Sequence, residues 1–170
     1  GSDWDSDDEN TEYFTVGNKV KIELADMDYV SWRRDLLKDK EVLDLIIIMV
    51  EDITPEHGSK LQELLRLVSH KIENPINDSN KKVMIFSAFS DTADYLYTHV
   101  SQYMKEKYHV DTALITGTVE GKTTIKGFRA SMNDVLTCFS PLSKGKAVLM
   151  PNSPYEIDIL IATDCISEGQ

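Results

Sequence analysis

The second half of the chain alternates short apolar runs with amphipathic segments. Three apolar runs, at residues 83–86, 113–115 and 157–162, are typical of buried parallel strands. The segments between them predict one helix ending near Tyr108, with Ser90 or Asp91 as its cap, and a second helix over residues 126–139. Strands that alternate with helices predict an α/β fold, a parallel sheet flanked by helices with right-handed crossovers.

The first half has a different pattern. Residues 1–12 are acidic and lack an apolar pattern, which favours a linker or tag remnant. Residues 13–80 read as a helical extension with a short strand. The strand is predicted from the alternation at 20–24, and a helix from the apolar face within 32–53. Thr54-Pro55 then marks the start of a second helix, whose apolar positions are Leu61, Leu64, Leu65, Val68 and Ile72.

Composition and charge place limits on function. The net charge of −11 argues against a nucleic-acid partner, yet residues 81–150 hold nine Lys and Arg against six Asp and Glu. The longest apolar run, at 45–50, is too short to span a bilayer, and no secretory signal precedes it. Two cysteines without metal spacing favour a reduced, cytoplasmic setting. Gly1-Ser2 resembles a tag-cleavage scar and the chain stops within a turn, so we expect a fragment of a longer protein.

Hydroxyl residues follow all three predicted strands of the second half. Ser87 follows the first strand, Thr116 the second, next to Gly117, and Thr163 the third. The carboxyl ends of parallel strands share one edge of a sheet, where open α/β folds bind ligands. Hydroxyls there can hold a row of phosphates or can cap the helices that follow, and the spacing alone favours neither.

Other motifs fail on their spacing. Gly121-Lys122-Thr123-Thr124 resembles the end of a phosphate loop, but the position that requires the first glycine holds Thr116. The Asp3-x-Asp5-x-Asp7 run lacks the glycine and the final glutamate of a calcium loop. The sequence therefore predicts no metal site and no catalytic residue in this chain.

Two segments resemble helicase motifs. Residues 82–89, Lys-Val-Met-Ile-Phe-Ser-Ala-Phe, are similar to motif IV of superfamily 2 helicases in the Swi/Snf-like and RapA-like branch. Thr116-Gly117 resembles the turn after the next strand of that family, and residues 158–169 resemble motif V. The likeness covers about residues 54–170, with 118–156 as an insertion. It implies the second RecA-like lobe of a nucleic-acid-dependent ATPase, with its C-terminal end truncated and residues 81–170 as the partial lobe.

The resemblance also implies site residues. Ser87, Thr116, Gly117 and Thr163 would contact the phosphate backbone of DNA or RNA, and Gly169 would approach the nucleotide. ATP with Mg would bind only in the full-length parent, because the Walker motifs belong to the absent first lobe and the arginine finger lies downstream of motif V. We therefore expect this chain to hydrolyse no ATP by itself.

The competing interpretation is a non-catalytic Rossmann-like binding or signalling module. That class would show an acidic cluster at the first strand end or a Gly-rich dinucleotide turn, and neither is present in the sequence. A Gln-x-x-Gly-Arg-x-x-Arg pattern within about forty residues after Gln170 would favour the helicase.

Overall fold

A computed structural model describes residues 11–16, 44–50, 58–74, 81–116, 121–139 and 153–163. The strands are β1 (Thr11–Val16), β2 (Asp44–Val50), β3 (Lys81–Ser87), β4 (Thr112–Ile115), β5 (Lys122–Thr123) and β6 (Ile159–Thr163). The helices are α1 (Gly58–Glu73), α2 (Ser90–Tyr108) and α3 (Met132–Phe139). The six strands form one sheet in the order β1-β2-β3-β6-β4-β5, and every pair is parallel except β4 with β5.

The strand order explains where the helices lie. The chain moves in one direction across the sheet from β2 to β3 to β4, and it then returns to place β6 between β3 and β4. Because crossovers between parallel strands are right-handed, a reversal of direction moves the connecting helix to the opposite face. Accordingly α1 and α2 pack on one face of the sheet and α3 packs on the other. The protein is therefore a three-layer α/β fold.

Alternate strand residues supply the two cores. In β3, Val83 and Ile85 pack with α1 and α2, whereas Met84 and Phe86 pack with α3. All four side chains are at most 1% exposed. Burial on both faces is why the central strands read as continuous apolar runs and not as alternating ones.

The predicted helix over residues 32–53 is wrong for residues 44–50, which form β2. β2 pairs with β1 on one side and with β3 on the other, so the sheet continues across the predicted boundary at residue 80. Ile46, Ile48 and Val50 face the α1 and α2 side while Met49 faces the other core. The 3.6-residue spacing was a coincidence within a strand that is apolar on both faces.

The predicted helix over 126–139 begins six residues later than expected. Gly127 has a φ of 75°, a left-handed conformation that a helix does not contain. The Ser131 hydroxyl accepts a hydrogen bond from the Asp134 N–H at 3.2 Å, the arrangement of a helix N-cap. The helix therefore starts at Met132, and the preceding residues form β5 and turns.

Five of the remaining elements confirm the sequence interpretation. β1 was not predicted, because its first two residues fall in the predicted acidic linker, 1–12, and its others precede the strand predicted at 20–24. The three predicted strands of the second half are β3, β4 and β6, and α1 and α2 match two predicted helices. Neither Ser90 nor Asp91 caps α2, because the N-cap residue is Phe89. The predicted strand at 20–24, the start signal at Thr54-Pro55 and the acidic residues 1–10 lie outside the described residues.

Candidate strand-end site

Three of the predicted site residues lie side by side. Ser87, the last residue of β3, is in register with Thr163, the last residue of β6. Ile115 of β4 is in register with Ala162, which places Thr116 next to Thr163 on its other side. The insertion of β6 between β3 and β4 therefore gathers hydroxyls from three distant parts of the sequence into one row. We refer to Ser87, Thr163 and Thr116 as the hydroxyl row.

All three residues of the hydroxyl row belong to the same face of the sheet. Each has the strand parity of neighbours that pack against α1 and α2, such as Ile85, Ile161 and Leu114. Ser87 and Thr163 are fully buried and Thr116 is 8% exposed. Contact between these hydroxyls and a ligand therefore requires a rearrangement of the residues that cover them.

The hydroxyls of Ser87 and Thr163 differ in their hydrogen-bond partners. The Ser87 Oγ accepts a hydrogen bond from the Phe89 N–H at 3.1 Å and lies 3.3 Å from the Phe89 carbonyl oxygen. Ser87 therefore stabilises the turn between β3 and α2, but it does not cap the helix, whose N-cap residue is Phe89. The Thr163 Oγ1 is buried and has no hydrogen-bond partner among the residues that the structure describes. An unsatisfied buried hydroxyl costs about 1–3 kcal/mol, which makes Thr163 the residue of the row that packing does not explain.

Two predicted contacts fall elsewhere. Gly117, predicted to approach the nucleic-acid backbone, and Gly169, predicted to approach the nucleotide, lie outside the described residues. Their roles stay predictions.

Phe89 is a feature of this edge that the sequence interpretation missed. It occupies the N-cap of α2 in an extended conformation, makes no side-chain cap hydrogen bond and is 54% exposed. Ser, Thr, Asp and Asn are the residues preferred at an N-cap. The signal in the sequence was an apolar residue placed between Ser87 and Ser90 at a strand-to-helix turn.

The segment that resembles a phosphate loop has a structural role. Lys122 and Thr123 form β5, which pairs antiparallel with β4, and turns follow it where a phosphate loop would begin a helix. The Lys122 Nζ lies 3.5 Å from the Asp94 Oδ1, and both side chains are more than half exposed. The backbone of Gly121 lies against the carbonyl oxygens of Leu114 and Ala130. The segment that fails the spacing of a phosphate loop therefore forms an antiparallel strand followed by turns.

A second concave surface lies far from the hydroxyl row. A groove of about 360 Å³ separates α1 from the C-terminal part of α2, and its wall includes Arg66, His70, Glu73 and Lys107. The pKa of Lys107 is raised, chiefly by its hydrogen bond to the Tyr103 hydroxyl. Since α2 rises about 1.5 Å per residue, the groove is roughly 20–25 Å from Phe89 along the helix axis. The groove therefore does not extend the strand-end site.

Within the described residues no group of three His, Cys, Asp or Glu side chains is placed to hold a metal ion. The helices described here are also not long and apolar enough to cross a bilayer. Comparisons with protein-family models, with curated proteins and with solved structures found no match.

Proposed function

We propose that the chain is the second RecA-like lobe of an ATP-driven helicase or translocase, and that the hydroxyl row contacts the phosphate backbone of its nucleic acid. The observation that carries the proposal is the register of Ser87, Thr163 and Thr116 at the carboxyl edge of three adjacent parallel strands. Hydroxyls and backbone N–H groups at such an edge hold phosphates without reading base sequence.

The topology supports the proposal in a second way. The two segments that resemble motifs IV and V become β3 and β6, which pair directly over five residues. The chain reverses direction across the sheet at this place, and open α/β sheets bind their ligands outside such reversals. In the proposed motor, ATP with Mg binds between this lobe and the first one, and closure of the two lobes shifts the grip on the strand.

The burial of the hydroxyl row gives the mechanism a further requirement. Because Thr163 is fully buried, a strand could reach its hydroxyl only after the residues that cover it move. Binding would uncover Thr163 and give its unpartnered hydroxyl a phosphate oxygen as acceptor. The surrounding protein is acidic overall, so affinity should be poor and salt-sensitive, on the order of 10⁻⁴ M or weaker at physiological salt.

The variant Thr163→Val tests whether the Thr163 hydroxyl contacts phosphate or whether the residue only contributes to packing. Valine keeps the branched shape and removes a hydroxyl that has no partner, so we expect the free energy of unfolding to stay the same or rise by up to about 1 kcal/mol. Binding of a fluorescein-labelled single strand of roughly 12 nucleotides, followed by anisotropy at low salt, should weaken at least about tenfold, because hydrogen bonds to charged groups contribute about 1.5–3 kcal/mol.

Ser87→Ala is the comparison for the stability measurement, because the Ser87 hydroxyl, unlike that of Thr163, bonds the backbone of Phe89. This variant should lose about 0.5–1.5 kcal/mol of stability, the usual net value of a hydrogen bond. If Thr163→Val left strand binding unchanged, Thr163 would not contact phosphate and the chain would fit the alternative, a non-catalytic binding module.

A further inference from the structure

Phe89 is the most exposed large hydrophobic side chain of the described residues. It is 54% exposed, compared with 39% for Tyr155 and 36% for Tyr103, and unlike those tyrosines its ring has no polar end. It also occupies an N-cap position, where its apolar side chain offers no acceptor to the first N–H groups of the helix. Phe89 thus departs both from the burial usual for a large apolar side chain and from the preference for a polar residue at a helix N-cap. Residues that depart from such local preferences are commonly functional.

The backbone of Phe89 is held firmly in place. Its N–H donates to the Ser87 Oγ at 3.1 Å, and its carbonyl accepts from the Ala93 N–H in the first turn of α2 at 3.0 Å. Phe86, three residues earlier, is fully buried in the core on the other face of the sheet. The exposed ring therefore belongs to a turn whose backbone is hydrogen-bonded to Ser87, one end of the hydroxyl row.

The charge next to Phe89 selects the part of a nucleic acid that can lie there. Asp91 lies in the first turn of α2 and its side chain is exposed, so a carboxylate already occupies the positive end of the helix. A phosphate at that place would meet a like charge. A neutral base would not, and a base presents a flat face that stacks on an aromatic ring.

We propose that Phe89 is a stacking platform for an unpaired base, so that the nucleic acid taken by this lobe is single-stranded at the strand-end site. The inference rests on the proposed function, because the hydroxyl row holds the phosphates of the same strand. A paired base is stacked between its neighbours, so a projecting ring reaches its flat face only by unstacking the duplex, a cost that an unpaired base does not require. Every base has a flat face, so this contact carries no sequence preference.

The test compares Phe89→Ala with Phe89→Trp on three labelled probes at low salt: a single strand of roughly 12 nucleotides, an abasic strand of the same length, and a blunt duplex. Phe89→Ala should weaken binding of the ordinary single strand about 5- to 150-fold, the range typical when a stacking aromatic is replaced by alanine. Phe89→Trp should restore it. Affinity for the abasic strand should change less than about twofold, because that probe keeps the phosphates and lacks the bases.

Tyr103→Ala is the control for the loss of an exposed aromatic ring, because Tyr103 lies beside the groove at the far end of α2. It should leave binding of all three probes unchanged. Phe89→Ala should fold normally, since an exposed side chain contributes little packing, and circular dichroism and thermal unfolding check this.

Each other outcome overturns the inference in a distinguishable way. Equal losses on ordinary and abasic strands would show that Phe89 acts on the backbone and does not stack. An equal loss on the duplex would exclude selection of single strands. No effect of Phe89→Ala, with Thr163→Val still weakening the strand, would remove the stacking role and leave the proposed function intact, and point to a protein partner for the exposed ring. Failure of the unmodified chain to bind any probe would overturn both proposals.

Discussion

Lys82→Ala should be among the most destabilising single substitutions in this protein, lowering the free energy of unfolding by about 2–5 kcal/mol, the usual cost of truncating a long buried side chain to alanine. Lys82 lies near the start of β3 and its side chain is fully buried. Its Nζ donates to the Ile157 carbonyl at 2.8 Å and to the Glu156 Oε1 at 2.9 Å, and it lies 3.4 Å from the Asp158 Oδ1. Alanine removes every one of these interactions and leaves a cavity in the core.

The position of Lys82 explains the size of this effect. Its partners belong to the segment that enters β6, and its ammonium group lies 5.7 Å from the centre of the Phe139 ring at the end of α3. The Lys82 side chain therefore links the start of β3, the segment that leads into β6, and helix α3. Lys82→Met should cost less than Lys82→Ala, because methionine fills most of the same volume and only the polar contacts are lost.

Lys105→Ala is the matched control. The Lys105 Nζ lies only 2.7 Å from the Asp111 Oδ1, closer than either carboxylate lies to Lys82, but the Lys105 side chain is 47% exposed. Water competes for an exposed pair, so this substitution should cost less than about 1 kcal/mol. Urea unfolding followed by circular dichroism measures both variants. Similar losses for Lys82→Ala and Lys105→Ala would show that the buried lysine is not a structural link.

The elements predicted correctly are those whose sequence carries a local signal. β3, β4 and β6 are short runs of apolar residues, and α1 and α2 have one apolar face. β2 was predicted as a helix because a strand buried on both faces has no period of its own. β5 has two residues and is defined only by its pairing with β4, so no pattern in the sequence could predict it.

The location of the candidate site was predictable from the sequence, and the hydrogen bonding of its hydroxyls was not. A hydroxyl after each strand of a parallel sheet was enough to expect Ser87, Thr116 and Thr163 at one edge. Their adjacency depends on β6 lying between β3 and β4, which is a property of the topology. That Ser87 has a partner while Thr163 has none depends on contacts that form only in the folded chain. The pairing of Lys82 with residues before β6 is non-local in the same way.

Gly121→Ala should also destabilise the protein strongly, by about 1–3 kcal/mol or more, the usual cost of adding an atom where none fits. A Cβ at Gly121 would lie 2.7 Å from the carbonyl oxygens of both Leu114 and Ala130. Both obstacles are backbone atoms, so no side-chain rotation relieves the clash, and the β4–β5 pairing of Leu114 with Lys122 would have to shift.

Gly58→Ala is the control, because nothing lies within 4 Å of a Cβ at that position and alanine favours helix α1. Thermal unfolding should show a lower midpoint for Gly121→Ala and an equal or higher one for Gly58→Ala. An unchanged midpoint for Gly121→Ala would mean that this glycine is not required for packing between β4 and the residues around Ala130.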